Sequence, residues 1–91
     1  MEITDVRIFP VDDNRVRAYA SIIFDDCFIV RDVKVIQGEN KFFVAMPSKK
    51  MKDGSFRDIV HPLDMDTREL IEKSVLGAYE TRLSGVEATM A

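Results

Sequence analysis

In the opening segment Thr4-Asp5-Val6-Arg7-Ile8, apolar side chains alternate with charged ones. That period of two lets one face of a strand be buried while the other stays wet. After the turn cluster Asp12-Asp13-Asn14, the same period resumes. Val16, Ala18, Ala20, Ile22 and Phe24 share one face of a long strand, with Arg15, Arg17, Tyr19 and Ser21 on the other. Asp and Asn suit such turns because they tolerate left-handed backbone and hydrogen-bond their own main chain. Asp25-Asp26 marks the next turn, and a third strand is expected over residues 27–36. Its phase changes along the way: Phe28 and Val30 lie on one parity, Val33 and Val35 on the other. The switch predicts a bulge near Arg31-Asp32, or partial cover on both faces. Gln37-Gly38-Glu39-Asn40 reads as a hairpin loop, followed by a fourth strand, Phe42-Phe43-Val44-Ala45-Met46, that is apolar on both faces. Strands of that kind are usually covered twice. A helix is expected on one side and, since few elements remain, a second copy of the chain on the other.

Residues 47–65 carry no regular period. Pro47 ends the preceding strand because it has no amide hydrogen for the ladder. Asp53-Gly54 is a turn signal, so residues 56–60 are expected to form a short return strand. Long irregular segments in small domains are often functional. Helix signals begin at Asp66, read as the N-cap, with Glu69 three residues on as in a capping box. Ile71, Val75, Ala78, Tyr79 and Leu83 then recur at helical spacing and are expected to face the sheet. Gly77 weakens the helix interior, and Ser84-Gly85 is its expected stop. The pattern predicts an α+β fold: a small antiparallel β-sheet with a C-terminal helix packed on it, homodimeric. One domain occupies residues 1–85, and residues 86–91 form a frayed tail.

Composition bounds the function. A chain of 91 residues holds one domain with a modest core, and 46% apolar residues is too many for disorder. No apolar run approaches the roughly 20 residues that span a bilayer. The N-terminal Met1-Glu2-Ile3-Thr4-Asp5 lacks the basic and apolar regions of a signal peptide. Cys27 is the only cysteine, so neither an internal disulfide nor a cysteine zinc site can form. A cytoplasmic protein without membrane contact, its chain unprocessed from Met1, is expected. The net charge of −3 is unevenly spread. Lys41, Lys49, Lys50, Lys52 and Arg57 stand against Asp53 alone in residues 41–57, a local balance of +4, which leaves −7 for the rest of the chain. Global acidity argues against indiscriminate nucleic-acid coating and leaves room for a localised contact.

Catalytic chemistry has little to work with. His61, the one histidine, precedes Pro62 in a loop and has no recognisable nucleophile or orienting partner near it, Ser55 and Asp58 being the nearest candidates. It reads as a structural, loop-anchoring histidine. Cys27 is expected as a buried thiol rather than a nucleophile. Asp12-Asp13 and Asp25-Asp26 are explained by turn chemistry more simply than by metal binding. No glycine-rich phosphate loop is present, and neither a metal nor a cofactor is expected. The remaining candidate is the basic segment. Lys49, Lys50, Lys52 and Arg57 lead towards a helix start whose free amides favour phosphate oxygens. Arg68 in the first turn could add a forked contact to phosphate or to a guanine edge. The competing reading is an ordinary solvated basic loop, and Asp64, Asp66 and Glu69 put negative charge beside the supposed site.

Phe43-Val44-Ala45-Met46-Pro47-Ser48-Lys49-Lys50 and Asp53-Gly54-Ser55-Phe56-Arg57-Asp58-Ile59-Val60-His61-Pro62 together resemble the SpoVG family, the stage V sporulation G proteins of bacteria. Thr4-Asp5-Val6-Arg7 and Ile29-Val30-Arg31-Asp32-Val33-Lys34-Val35-Ile36 are similar to the family as well, and the likeness runs over roughly residues 2–83. The resemblance implies a homodimeric sheet-and-helix protein. It further implies a regulator that binds DNA, and in some members RNA, acting on septation, sporulation, or surface and virulence programmes. The contacts it implies fall on Lys49, Lys50, Arg57, Thr67 and Arg68. Two positions depart from the family pattern: Glu69-Leu70 follows the Thr67-Arg68 pair, and Asp13-Asn14 replaces a glycine-containing turn. The alternative expectation is a protein-interaction module in septation with no direct nucleic-acid contact.

Overall fold

A computed structural model of the chain describes residues 1–83. Four strands, β1 (Ile3–Asp13), β2 (Val16–Phe24), β3 (Phe28–Gln37) and β4 (Phe42–Ala45), form an antiparallel sheet in sequential order. β5 (Ser48–Lys50) and β6 (Phe56–Asp58) form a separate two-stranded ribbon, and α1 (Met65–Leu83) closes the described chain. The expected helix stop at Ser84-Gly85 and the tail over residues 86–91 lie outside the described residues.

The alternating faces read from the sequence set the layers. Ile8 from β1, Ala18, Ala20, Ile22 and Phe24 from β2, and Val30, Val33 and Val35 from β3 are all buried, together with Val44 and Met46. They meet Ile71, Val75 and Tyr79, which recur every fourth residue along α1. Ile22, Val33, Val35 and Val75 are almost fully excluded from water, each contributing about 1.5–3 kcal/mol relative to an exposed position. The Tyr79 ring packs on Phe42 with centroids 5.5 Å apart and planes tilted by 50°. Arg82 Nη1 donates to the Ile8 carbonyl at 3.2 Å, tying the last turn of the helix to β1. Leu83, expected in the core, is 59% exposed instead. Ala78, expected on the same face, is half-buried, and Leu76 packs against the core beside the stripe.

The turn residues act as their chemistry predicts. Asn14 takes φ 59°, and Asp25 and Asp26 take 51° and 56°, the left-handed pair that a type I′ hairpin turn requires. The Cys27 amide closes that turn on the Phe24 carbonyl at 3.0 Å. Asp25 Oδ1 accepts from the Glu2 amide at 3.0 Å, so the carboxylate holds the start of β1. Cys27 itself is exposed, correcting the expectation of a buried thiol: at the edge of this turn its side chain has no core to enter. The predicted bulge is present. Ala20 pairs with Val33 and Ile22 with Val30, so Arg31 and Asp32 together oppose Ser21, and Asp32 bends the strand at φ 63°.

The fourth strand has one covered face. Val44 and Met46 lie under the helix, while Phe43 on the opposite face is 40% exposed. In the same outer layer, Ala45 pairs with Lys34, Lys34 with Tyr19 and Tyr19 with Phe9. Among the described residues no helix is long and apolar enough to cross a membrane.

Candidate nucleic-acid interface

The irregular segment holds a β-hairpin: the return strand expected over residues 56–60 is β6 (Phe56–Asp58), and it pairs with β5. Ser48 pairs with Asp58, Lys49 with Arg57 and Lys50 with Phe56. The ladder is extended at both ends: the Ile59 amide donates to the Pro47 carbonyl at 2.8 Å, and the Met51 amide to the Ser55 carbonyl at 2.7 Å. At the tip, Gly54 takes φ 91°, a conformation that favours glycine, and its amide bonds the Met51 carbonyl at 3.0 Å. Asp53 Oδ1 accepts from the Ser55 hydroxyl at 2.6 Å and from the Ser55 amide at 2.9 Å. Those bonds hold its carboxyl below the ordinary value of 3.8. The one acid at the tip is thus a structural brace for the turn.

Every residue of β5 and β6 is exposed, and neither strand packs against α1 or the four-stranded sheet. The hairpin therefore projects from the body. Lys49 and Arg57 face one another across it on one side, although like charges directly opposite destabilise a ladder. Among the described residues the ion pairs are Arg7 with Asp5 and Arg17 with Asp12; Lys49, Lys50, Lys52 and Arg57 have no carboxylate within salt-bridge distance. Four cations thus stand on or beside a short ribbon without internal neutralisation, a geometry suited to an anionic partner.

The helix start is arranged differently from the expectation. The N-cap is Asp64, not Asp66: its Oδ1 accepts from the Thr67 amide at 2.7 Å, and its carbonyl accepts the first helical bond from Arg68 at 3.2 Å. Thr67 therefore occupies the third helical position that a capping box gives to glutamate, and Glu69 falls beyond it. Hydrogen bonds from the Thr67 amide and hydroxyl keep the Asp64 carboxyl below 3.8. The anion at the helix N-terminus is thus the chain's own, and the Thr67 amide is not free for phosphate. Thr67 is half-buried and lines a small apolar hollow with Met46, His61, Pro62 and Ile71. His61 Nδ1 lies 3.0 Å from the Pro62 carbonyl oxygen, within the loop. Arg68 is exposed. The fold brings Lys49, Lys50, Lys52 and Arg57 together on the ribbon and leaves Thr67 and Arg68 on a separate element. Two residues escaped the sequence reading: the cap Asp64, masked by the Asp66–Glu69 spacing, and Phe56, whose exposure has no signal in periodicity.

A four-stranded antiparallel sheet with one helix across a single face and a basic ribbon projecting from it defines a small α+β domain. A family model described as SpoVG matches residues 1–81. The chain is 54% identical to a Bdellovibrio bacteriovorus protein over 90 residues, covering 99% of this chain and 83% of that one. It is 50% identical over 90 residues to a Myxococcus xanthus protein, covering 99% and 91% of the two chains. A Caldicellulosiruptor bescii protein is 44% identical over 88 residues, covering 96% and 100%. Each carries the name "Putative septation protein SpoVG". The chain belongs to the SpoVG family.

Proposed function

We propose that this chain is a cytoplasmic regulatory protein that binds nucleic acid through the β5–β6 hairpin, in a role linked to septation or sporulation. It is read as a binding protein and not as an enzyme. The observation that carries the proposal is the cross-strand Lys49–Arg57 pair, like charges held opposite one another with no counterion among the described residues. Lys50 and Lys52 extend the patch, and Arg68 adds a cation from the helix. The septation link rests on the names of the relatives. A second copy is the proposed cover for the outer sheet face, where Phe9, Ile29 and Phe43 are 54%, 39% and 40% exposed. Two hairpins per dimer would bind as a linked pair and raise affinity without new contacts.

The same exposed apolar face favours a second reading, a protein-interaction module in septation without nucleic-acid contact. A salt titration separates the two. Each phosphate neutralised contributes about −0.9 to the log–log slope on duplex and about −0.7 on single strands. Four hairpin cations therefore predict a slope down to about −3.6 or −2.8 per site. A flat slope, or an affinity unchanged by combining Lys49→Ala, Lys50→Ala and Arg57→Ala, overturns the nucleic-acid reading. Sedimentation equilibrium tests the dimer, and a stable monomer at micromolar concentration overturns that part.

A further inference from the structure

The hairpin has a second face. Lys50 lies directly opposite Phe56, with Ser48 and Asp58 one pair further down on the same side. Phe56 is 69% exposed and takes no part in the core cluster. A valine or threonine would serve the strand there without holding a ring in water. The ring is instead set into the most basic part of the chain, on strands with no close backbone approach to α1 or the four-stranded sheet. We propose that Phe56 is a stacking platform for an unpaired base, which makes the hairpin selective for single-stranded nucleic acid. The inference rests on the nucleic-acid reading above and specifies the strand form that the site takes.

The chemistry favours a single strand over a duplex. Within a duplex both faces of each base are covered by its neighbours, so an exposed ring finds no partner unless the stack is opened. A phenyl ring offers no donors or acceptors for reading base edges in a groove. A single strand presents free π-faces, and aromatic stacking combined with nearby cations is the usual way to hold one. Side chains directly opposite on a ladder have Cβ atoms about 4.5–5.5 Å apart. The flexible Lys50 stem can therefore bring its ammonium to the phosphate of a nucleotide stacked on Phe56. Lys52, at the tip, continues the path, and Lys49 and Arg57 receive the backbone where it crosses the ribbon's edge. Asp58, on the Phe56 face but towards the body, repels phosphate and confines occupancy to the outer half of the hairpin.

The test uses the full chain with a 12-nucleotide oligothymidylate and a 12-base-pair duplex at matched salt. The variants are Phe56→Leu and Phe56→Tyr. Wild type should bind the single strand more tightly than the duplex. Phe56→Leu should weaken single-strand binding by up to about 5- to 140-fold, the loss expected when one stacked base is forfeited. Duplex binding should change less than about twofold and the salt slope should hold, since no charge is removed. Phe56→Tyr should retain wild-type affinity, which a merely folded hairpin would not require. An unchanged single-strand affinity in Phe56→Leu, or an equal loss on both forms, overturns the stacking role while leaving the basic-hairpin reading standing. A change in sedimentation without a change in nucleic-acid affinity assigns the ring to a protein contact and overturns it too. Failure of wild type to bind either form brings down both.

Discussion

Replacing Arg57 by glutamate turns a like-charge pair into an opposite-charge pair at the centre of the ribbon, where Lys49 lies directly across the ladder. Cross-strand pairs contribute about 0.2–1 kcal/mol each, and like charges oppose the ladder by a similar amount. The swing in hairpin stability is then about 0.4–2 kcal/mol at low ionic strength, and it shrinks as salt is added. Because the ribbon packs against neither the helix nor the main sheet, the gain should be local. Native-state hydrogen exchange is the suitable assay. The Met51 and Ile59 amides, bonded to Ser55 and Pro47 at 2.7 and 2.8 Å, should become about 2- to 30-fold more protected. Global Tm should move by no more than about 1 °C. Binding should go the other way, with weaker affinity and a single-strand salt slope reduced by about 0.7 or more. A site that gains stability and loses binding through one substitution holds its charges for an external partner. Protection that falls or stays level while binding persists would refute the reasoning.

Three further outcomes follow from the geometry. Gly77 is exposed on α1 and an added Cβ meets nothing within 4 Å, so Gly77→Ala should stabilise by about 1 kcal/mol and raise Tm by about 4–8 °C in a thermal melt. The Asp64 carboxyl is depressed below 3.8 by its bonds to Thr67; its capping contribution is therefore complete above that value and lost as pH falls through the depressed one. Asp64→Ala should lower Tm at pH 7, whereas Asp64→Asn keeps a capping oxygen and should flatten the pH dependence below about 4. Cys27 is exposed, so a thiol reagent should label it in the native state as fast as in urea; slow labelling, released only by denaturant, would contradict its placement.

The meander was legible because two signals agreed over its first half. Through β1 and β2 apolar residues kept a period of two, and the first two reversals were marked by acids or Asn that take positive φ, Asn14, Asp25 and Asp26. Even the bulge showed as a parity switch, since one extra residue opposite Ser21 must move every later side chain to the other face. The helix was legible in its buried stripe but not at its boundary. Asp64 and Asp66 are chemically equal caps, and the Asp66–Glu69 spacing imitates a capping box, so local pattern does not choose between them. The hairpin was least legible. Its strands have three residues each and bury none of them, so they leave no hydrophobic period, and only the Asp53-Gly54 turn pointed to them. The same lack of burial hid Phe56, because exposure of a lone aromatic is a property of tertiary placement.

The position of the acids decides where an anion can bind. A helix N-terminus with free amides would be the stronger phosphate site on electrostatic grounds, and α1 follows the basic segment closely in sequence. Yet Asp64 fills that position with a carboxylate held at 2.7 Å, and an incoming phosphate would have to displace it or sit against its charge. Asp53 is likewise fixed inward on Ser55, where it braces the tip on which the lysines depend. Asp64 and Asp53 thus have opposite effects: one closes the helix end, the other builds the ribbon. The proposed binding falls to side chains on an element with no role in the core. Charge there can be altered without disturbing the sheet-and-helix packing, which is why paired stability and affinity measurements on Arg57 and Phe56 can separate fold from function in this chain.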